Sequence, residues 1–139
     1  MIIADPETLK KYHVNGGRCE GCGALGRTIP HHLWVRGRAG GTRLDVPWNL
    51  MRLLEAFDCD CHERAHSRSQ YAKELRAKAA IREKCHVDDL EHARHIVVHR
   101  VPKDASDVAV EHALGEANAD VRRLVWVAVK AYRRLHGEN

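Results

Sequence analysis

The sequence predicts an α+β fold in which two extended segments lead into a long helix, with further helices completing the chain. Three observations carry this. Two close cysteine pairs, Cys19-x-x-Cys22 and Cys59-x-Cys61, flank the extended stretches and can tie them to the helix through one zinc ion. The stretch GRAGG, Gly37 to Gly41, forms a flexible loop between the two segments. From Tyr71 onward, apolar residues recur at helical spacing.

Taken in order, Asp5-Pro6-Glu7 is a helix start, with Asp5 as cap and Pro6 in the first turn. That short helix runs to about Val14 and ends at Asn15-Gly16-Gly17. Thr28 to Val35 is extended, and after Pro47 so is Asn49 to Leu54. A helix begins around Cys59 to His62 and continues through YAKELRAKAAIREK, with Tyr71, Leu75 and Lys78-Ala79 on its spacing and Glu74-Lys78 as an i,i+4 ion pair. Beyond Lys84, Asp88 to about His99 reads as helical and stops before Pro102. Ser106 caps a helix to Leu114, which Gly115 ends. Asp120 caps the last helix, whose stripe Val121, Leu124, Val125, Ala128, Tyr132 and Leu135 is core or a dimer seam.

With 139 residues and 15.8 kDa, the chain holds one small domain and a helical appendix, too little for two full domains. Its longest apolar run, Leu124 to Val129, is far short of the roughly 20 residues that a membrane-spanning helix needs. The start MIIADPETLKK has no basic stretch followed by an apolar one, so the expectation is a cytoplasmic protein with no membrane partner. The net charge of +4 sits almost wholly between Arg18 and Arg52, where six arginines meet only Glu20 and Asp45. Guanidinium forks match phosphate oxygens, whereas a solvated basic face would serve only solubility.

Five cysteines, an odd number, argue against a disulfide framework. Zinc takes four tetrahedral thiolate or imidazole ligands, and the two pairs supply Cys19, Cys22, Cys59 and Cys61. RCEGCGALG is a tight knuckle in which Gly21 and Gly23 let backbone amides face the sulfurs. The second pair is less regular, which leaves Cys85 or a histidine as a substitute for Cys59. Among the eleven histidines, His31 and His32 are adjacent in TIPHHLWV, and His62 and His66 lie four apart in DCHERAHSRS. On a helix the latter two share one face, a ready-made bidentate metal site, and a third ligand from an extended segment leaves the coordination shell open to water and substrate. His92, His95 and His99 also share a helical face and read as surface residues.

The motifs CEGC, PHHL, WNLMRLL and CHERAH, in that order and over roughly Arg18 to Arg68, resemble the zinc-bearing branch of the HNH endonuclease family, among the ββα-metal nucleases. The family usually shows Cys-x-x-Cys where this chain has Cys59-x-Cys61. The resemblance implies a small ββα-metal core over residues 18–84, preceded by a helix and linker at 1–17 and followed by a helical extension at 85–139. It implies a DNA endonuclease in which His32 is the general base and Asn49 and His62 complete the namesake trio. His31, His62 and His66 would then hold a catalytic divalent cation, magnesium or manganese, with zinc or nickel as alternatives. Asn49 would hold the base-bearing segment; its plainer reading is a turn residue after Pro47-Trp48. Adjacent strand residues face opposite ways, so His31 and His32 cannot share one part.

Arg36, Arg38, Arg43, Arg64 and Arg68 are candidate phosphate contacts to double-stranded or branched DNA, giving affinity without sequence choice. Double-strand cleavage takes two active sites, which makes a homodimer through the C-terminal helices an expectation. Compact proteins of this family are frequent in phages and mobile elements. The rival readings are a zinc-stabilised DNA-binding or scaffold protein that does not cut, and an assembly protein whose histidines are incidental.

Overall fold

The structure, a computed structural model, describes residues 1–35 and 41–137; most of the GRAGG stretch lies outside them. Among the described residues the order is α1 (Pro6–Lys10), β1 (Val14–Arg18), β2 (Leu25–His32), β3 (Leu50–Leu54), α2 (Cys61–Ser67), α3 (Ser69–Arg82), α4 (Val87–His99), α5 (Asp107–Leu114) and α6 (Ala119–Leu135). A turn of 3-10 helix, Pro47–Asn49, leads into β3. The three strands form one antiparallel sheet in the order β1-β2-β3, so the class is α+β, with six α-helices.

Asp5 caps α1 as expected, its carboxylate accepting from the Thr8 amide at 3.3 Å and the Thr8 hydroxyl at 2.6 Å. The helix stops at Lys10, short of the expected end near Val14. Val14 instead opens β1, where the Thr28 hydroxyl accepts from its amide at 3.1 Å and donates to the Tyr12 carbonyl at 2.7 Å. Gly16 and Gly17 therefore form a bulged stretch of strand, with a register shift between Val14 and Gly17, and do not terminate a helix.

β1 pairs with β2 only over Leu25 to Thr28, whereas β3 pairs with β2 from Thr28 through His32. Among the described residues, the outer edge of β2 beyond Thr28 is thus unpaired. Pro30, which has no amide to give a ladder, lies on this stretch of the central strand. This local opening of the sheet makes room for the cleft described below.

The long helix expected from Cys59 onward is two helices. Arg68 adopts an extended conformation (φ −128°, ψ 109°) between α2 and α3, and the Ser67 hydroxyl turns back to donate to the Glu63 carbonyl. Tyr71, Leu75 and Ala79 are buried along α3 as their spacing predicts. Lys78 is not paired with Glu74; its ammonium reaches the Gly21 carbonyl. The last helix is capped by Asn118, whose side chain accepts from the Val121 amide at 2.9 Å, and not by Asp120. Asp120 falls inside its first turn.

Val121, Leu124, Val125 and Ala128 are fully buried core, whereas at the end of the stripe Tyr132 is half-buried and Leu135 is exposed. Val127, on another face of α6, is exposed. One apolar cluster runs from Ile3 through Trp48, Leu53 and Leu75 to Leu90, Ile96 and Val129. The buried Trp48 indole donates to the Leu124 carbonyl at 2.9 Å, and the N-terminal ammonium donates to the Val97 carbonyl at 3.0 Å. The boundary expected after residue 84 falls in the turn between α3 and α4, yet the core is continuous across it. Among the described residues no helix is long and apolar enough to cross a membrane.

Candidate functional site

Two donor groups meet at the N-terminal end of α2. The first is Cys19, Cys22, Cys59 and Cys61, whose sulfurs all lie within 4.8 Å of one another. Cys19 and Cys59 are 3.8 Å apart at sulfur, and all five cysteines of the chain are free thiols. A tetrahedron with zinc–sulfur bonds of about 2.3 Å has edges of about 3.8 Å, so this group could hold a metal such as zinc. Cys59 completes the group despite its irregular spacing; Cys85, half-buried, is not part of it.

The knuckle closes as its glycines suggest. The Gly23 amide donates to the Cys19 carbonyl at 2.8 Å, and Gly23 has φ +82°, a conformation that favours glycine. Gly21 is needed for space: a Cβ there would come within 2.6 Å of the Tyr71 hydroxyl and 2.9 Å of the Cys61 sulfur. The acidities within the cluster diverge. Burial would raise the Cys19 thiol, but amide donations from Cys22, Leu54 and Gly21 outweigh it and hold Cys19 below the usual thiol range. Burial pushes Cys61 up to about 12, and Tyr71, which shares its hydrogen bond, is also raised. Four sulfurs crowded together are a donor set that could take up a divalent cation.

The second group is His31, His62 and His66, each offering a ring nitrogen within 4.8 Å of the others. His62 Nε2 and His66 Nε2 are 3.1 Å apart, and the ring of His31 lies 5.4 and 5.2 Å, centroid to centroid, from those of His62 and His66. Two nitrogens bound side by side at about 2.1 Å from a cation are roughly 3.0–3.4 Å apart, so the spacing suits ligation. Among the described residues, His31 Nδ1 is buried without a hydrogen-bond partner. Burial, then the neighbouring His62, His66 and His32 rings and the Arg76 guanidinium, lower His31 to about 3. Burial and His66 likewise lower His62. Neutral imidazole is the form that ligates.

α2 sets this geometry. In seven residues it buries Cys61 and Ala65 on one row and presents His62 and His66 on the next. So short a helix is marginal alone. Cys61 anchors its start, and the Arg64 guanidinium packs over the Tyr71 ring at 4.1 Å, holding its middle against α3.

His32 does not join the trio. Its Nε2 lies 2.7 Å from Asp45 Oδ1, while its ring lines a cleft of about 530 Å³ together with His31, His62 and His66. Leu9 of α1, Pro30 and Val35 form the rest of the wall, where the edge of β2 is unpaired. The completely buried Asn49 spans the segment between His32 and itself. Its carbonyl oxygen accepts from the Trp34 amide at 3.0 Å and its NH2 donates to the Leu44 carbonyl at 2.9 Å. It is therefore a clamp, more than a turn residue.

The arginines divide. Arg36 and Arg38 lie outside the described residues. Arg43 is engaged internally, its guanidinium on Asp45 Oδ2 at 2.7 and 2.8 Å. Arg64 is half-buried on Tyr71, and Arg68 is exposed beside α2. His92, His95 and His99 are exposed on α4, as expected. Sequence reasoning missed Asp45 and Tyr71. The only trace of Asp45 was its being one of two acids in an arginine-rich stretch, and Tyr71 read simply as core. The chain matches no protein-family model, and neither a curated protein nor a solved structure is significantly similar to it.

Proposed function

We propose that this chain is a metal-dependent DNA endonuclease of the HNH kind, hydrolysing phosphodiester bonds with little sequence preference of its own. The observation that carries the reading is the convergence of three imidazoles, His31 from β2 and His62 and His66 from α2, on one cleft that His32 also lines. A binding scaffold has no need of that arrangement.

In this reading Cys19, Cys22, Cys59 and Cys61 hold a structural zinc, and His31, His62 and His66 hold one catalytic divalent cation, magnesium or manganese. That cation supplies neutralisation of charge at the scissile phosphate and the departing 3′ oxygen. His32 takes the proton from the attacking water as general base. Asn49 keeps His32 in place by fixing the backbone that follows it, and Arg68 contributes attraction to backbone phosphates of double-stranded or branched DNA.

A plasmid-nicking assay with magnesium or manganese tests this. Supercoiled DNA is expected to relax with the wild-type chain and to be cut at least about 100-fold more slowly by His32→Ala. Intact supercoiled DNA across several metals and salt concentrations would leave a zinc-stabilised binding module as the better reading.

A further inference from the structure

The contact between His32 and Asp45 rests on a carboxylate that the surrounding chain holds in place. Asp45 is buried, and both its carboxylate oxygens are spoken for. Oδ2 accepts from the Asp5 amide at 2.8 Å and from the Arg43 guanidinium at 2.8 and 2.7 Å. Among the described residues, Oδ1 has His32 Nε2 as its partner, at 2.7 Å. The backbone around Asp45 is pinned as well. Its amide donates to the Ile3 carbonyl, and the Ile3 amide donates to the Arg43 carbonyl, both at 2.8 Å. Asn49 holds the Leu44 carbonyl on one side and the Trp34 amide on the other. A single buried amide thus fixes the residue before Asp45 and the residue two beyond His32.

A carboxylate can only accept, so the ring nitrogen facing it must carry the hydrogen. We infer that Asp45 is the positioning residue of the reaction, holding His32 as the tautomer with hydrogen on Nε2 so that Nδ1 is the nitrogen left bare to take the proton from water. The inference rests on the hydrolytic reading above, but its geometry does not. Neither Asp45 nor Arg43 touches the reacting atoms. They act through His32, as Asn49 does through the backbone.

The substitution Asp45→Asn follows from the same contacts. Three donors crowd the Oδ2 position, so the amide oxygen must sit there and the NH2 group must turn toward His32. The ring would then have to accept at Nε2 and carry hydrogen on Nδ1, the wrong tautomer for a base.

The test joins nitrogen NMR of the His32 ring, recorded on the zinc-loaded wild-type chain with the ring neutral, to cleavage kinetics. The spectrum is expected to show hydrogen on Nε2 and a bare Nδ1. Asp45→Asn is expected to reverse the two signals and to lower kcat about 10²- to 10⁴-fold, with KM changed by no more than about threefold. In a His32→Ala background the same substitution should change kcat by less than about twofold, because the group it positions is gone. Hydrogen on Nδ1 in the wild type, or wild-type kcat in Asp45→Asn, overturns the inference, as does an equal loss in both backgrounds. Should Asp45→Asn fail to fold, the wild-type spectrum decides. A wild-type chain that cleaves nothing with any divalent cation sinks the hydrolytic reading, and with it the role in the reaction, while the spectrum still reports whether the pair sets the tautomer.

Discussion

Cys61 and His62 are neighbours in the chain and members of different donor sets: the sulfur of Cys61 lies with Cys19, Cys22 and Cys59, and the ring of His62 with His31 and His66. One peptide bond at the start of α2 therefore joins the two groups. Whatever orders the sulfurs also aims the imidazoles, because α2 is too short to hold its own orientation.

This makes the cysteines responsible for more than stability. After exhaustive dialysis, metal analysis is expected to find close to one zinc per chain. Cys19→Ser should lose that ion and roughly several kcal/mol of stability. It should also bind manganese at the histidines more weakly, by titration calorimetry, although it alters none of them. A Cys19→Ser chain as stable as wild type, with its manganese binding intact, would contradict the coupling.

Asn49→Ala leaves two buried backbone groups, the Trp34 amide and the Leu44 carbonyl, without partners. At about 1–3 kcal/mol each, the loss should be roughly 2–5 kcal/mol in urea unfolding. Asn49→Asp should fare no better, since a carboxylate can replace the acceptor but not the donor to Leu44. A loss below about 0.5 kcal/mol for either would mean that the clamp is not what orders this segment.

The low position of His31, about 3, has a signed consequence for stability. Its folded value lies below its unfolded one, so its neutrality stabilises the fold fully above about pH 6.5, and that contribution drains away as pH falls toward 3. Asp45 acts in a lower window. Burial opposes ionisation there, but the bonds from His32, Arg43 and the Asp5 amide prevail and hold it at about 2. Its contribution is whole above about pH 4 and disappears toward 2. The difference in unfolding free energy between wild type and His31→Gln should therefore change in the wild type's disfavour as pH drops from about 7 to 4. A difference that stays constant over that range would count against a buried neutral His31.

A chain ending at Lys84 should not fold. It would keep both donor groups but strip cover from Trp48 and lose the indole's bond to the Leu124 carbonyl. Circular dichroism on heating is expected to show no cooperative transition for that fragment, even with zinc. A sharp transition would mean that the N-terminal half carries a sufficient core of its own.

Much of the site was legible because its spacings are local. Cys19-x-x-Cys22 is a knuckle by its own geometry, and His62 and His66 share a face on any helix. The caps at Asp5 and Ser106 were legible for the same reason. What escaped depends on partners distant in sequence. Val14 extends because Thr28 takes its amide, and Asn118 caps α6 while also donating to Asp89 at 2.8 Å. Lys78 prefers the Gly21 carbonyl, which only the knuckle brings near. Asp45 belongs with His32 through the register of an N-terminal segment that pairs Ile3 with Leu44, and no short motif encodes that pairing.

One sulfur of the first donor set and two imidazoles of the second share the seven residues of α2, which locks the phase of that helix. Each residue added to or removed from an α-helix turns everything beyond it by about 100°. One extra residue between Cys61 and His62 would leave the sulfurs in place and swing both imidazoles off the cleft. Length variation in this chain has room elsewhere, but between the last cysteine and the last histidine of CHERAH it has none.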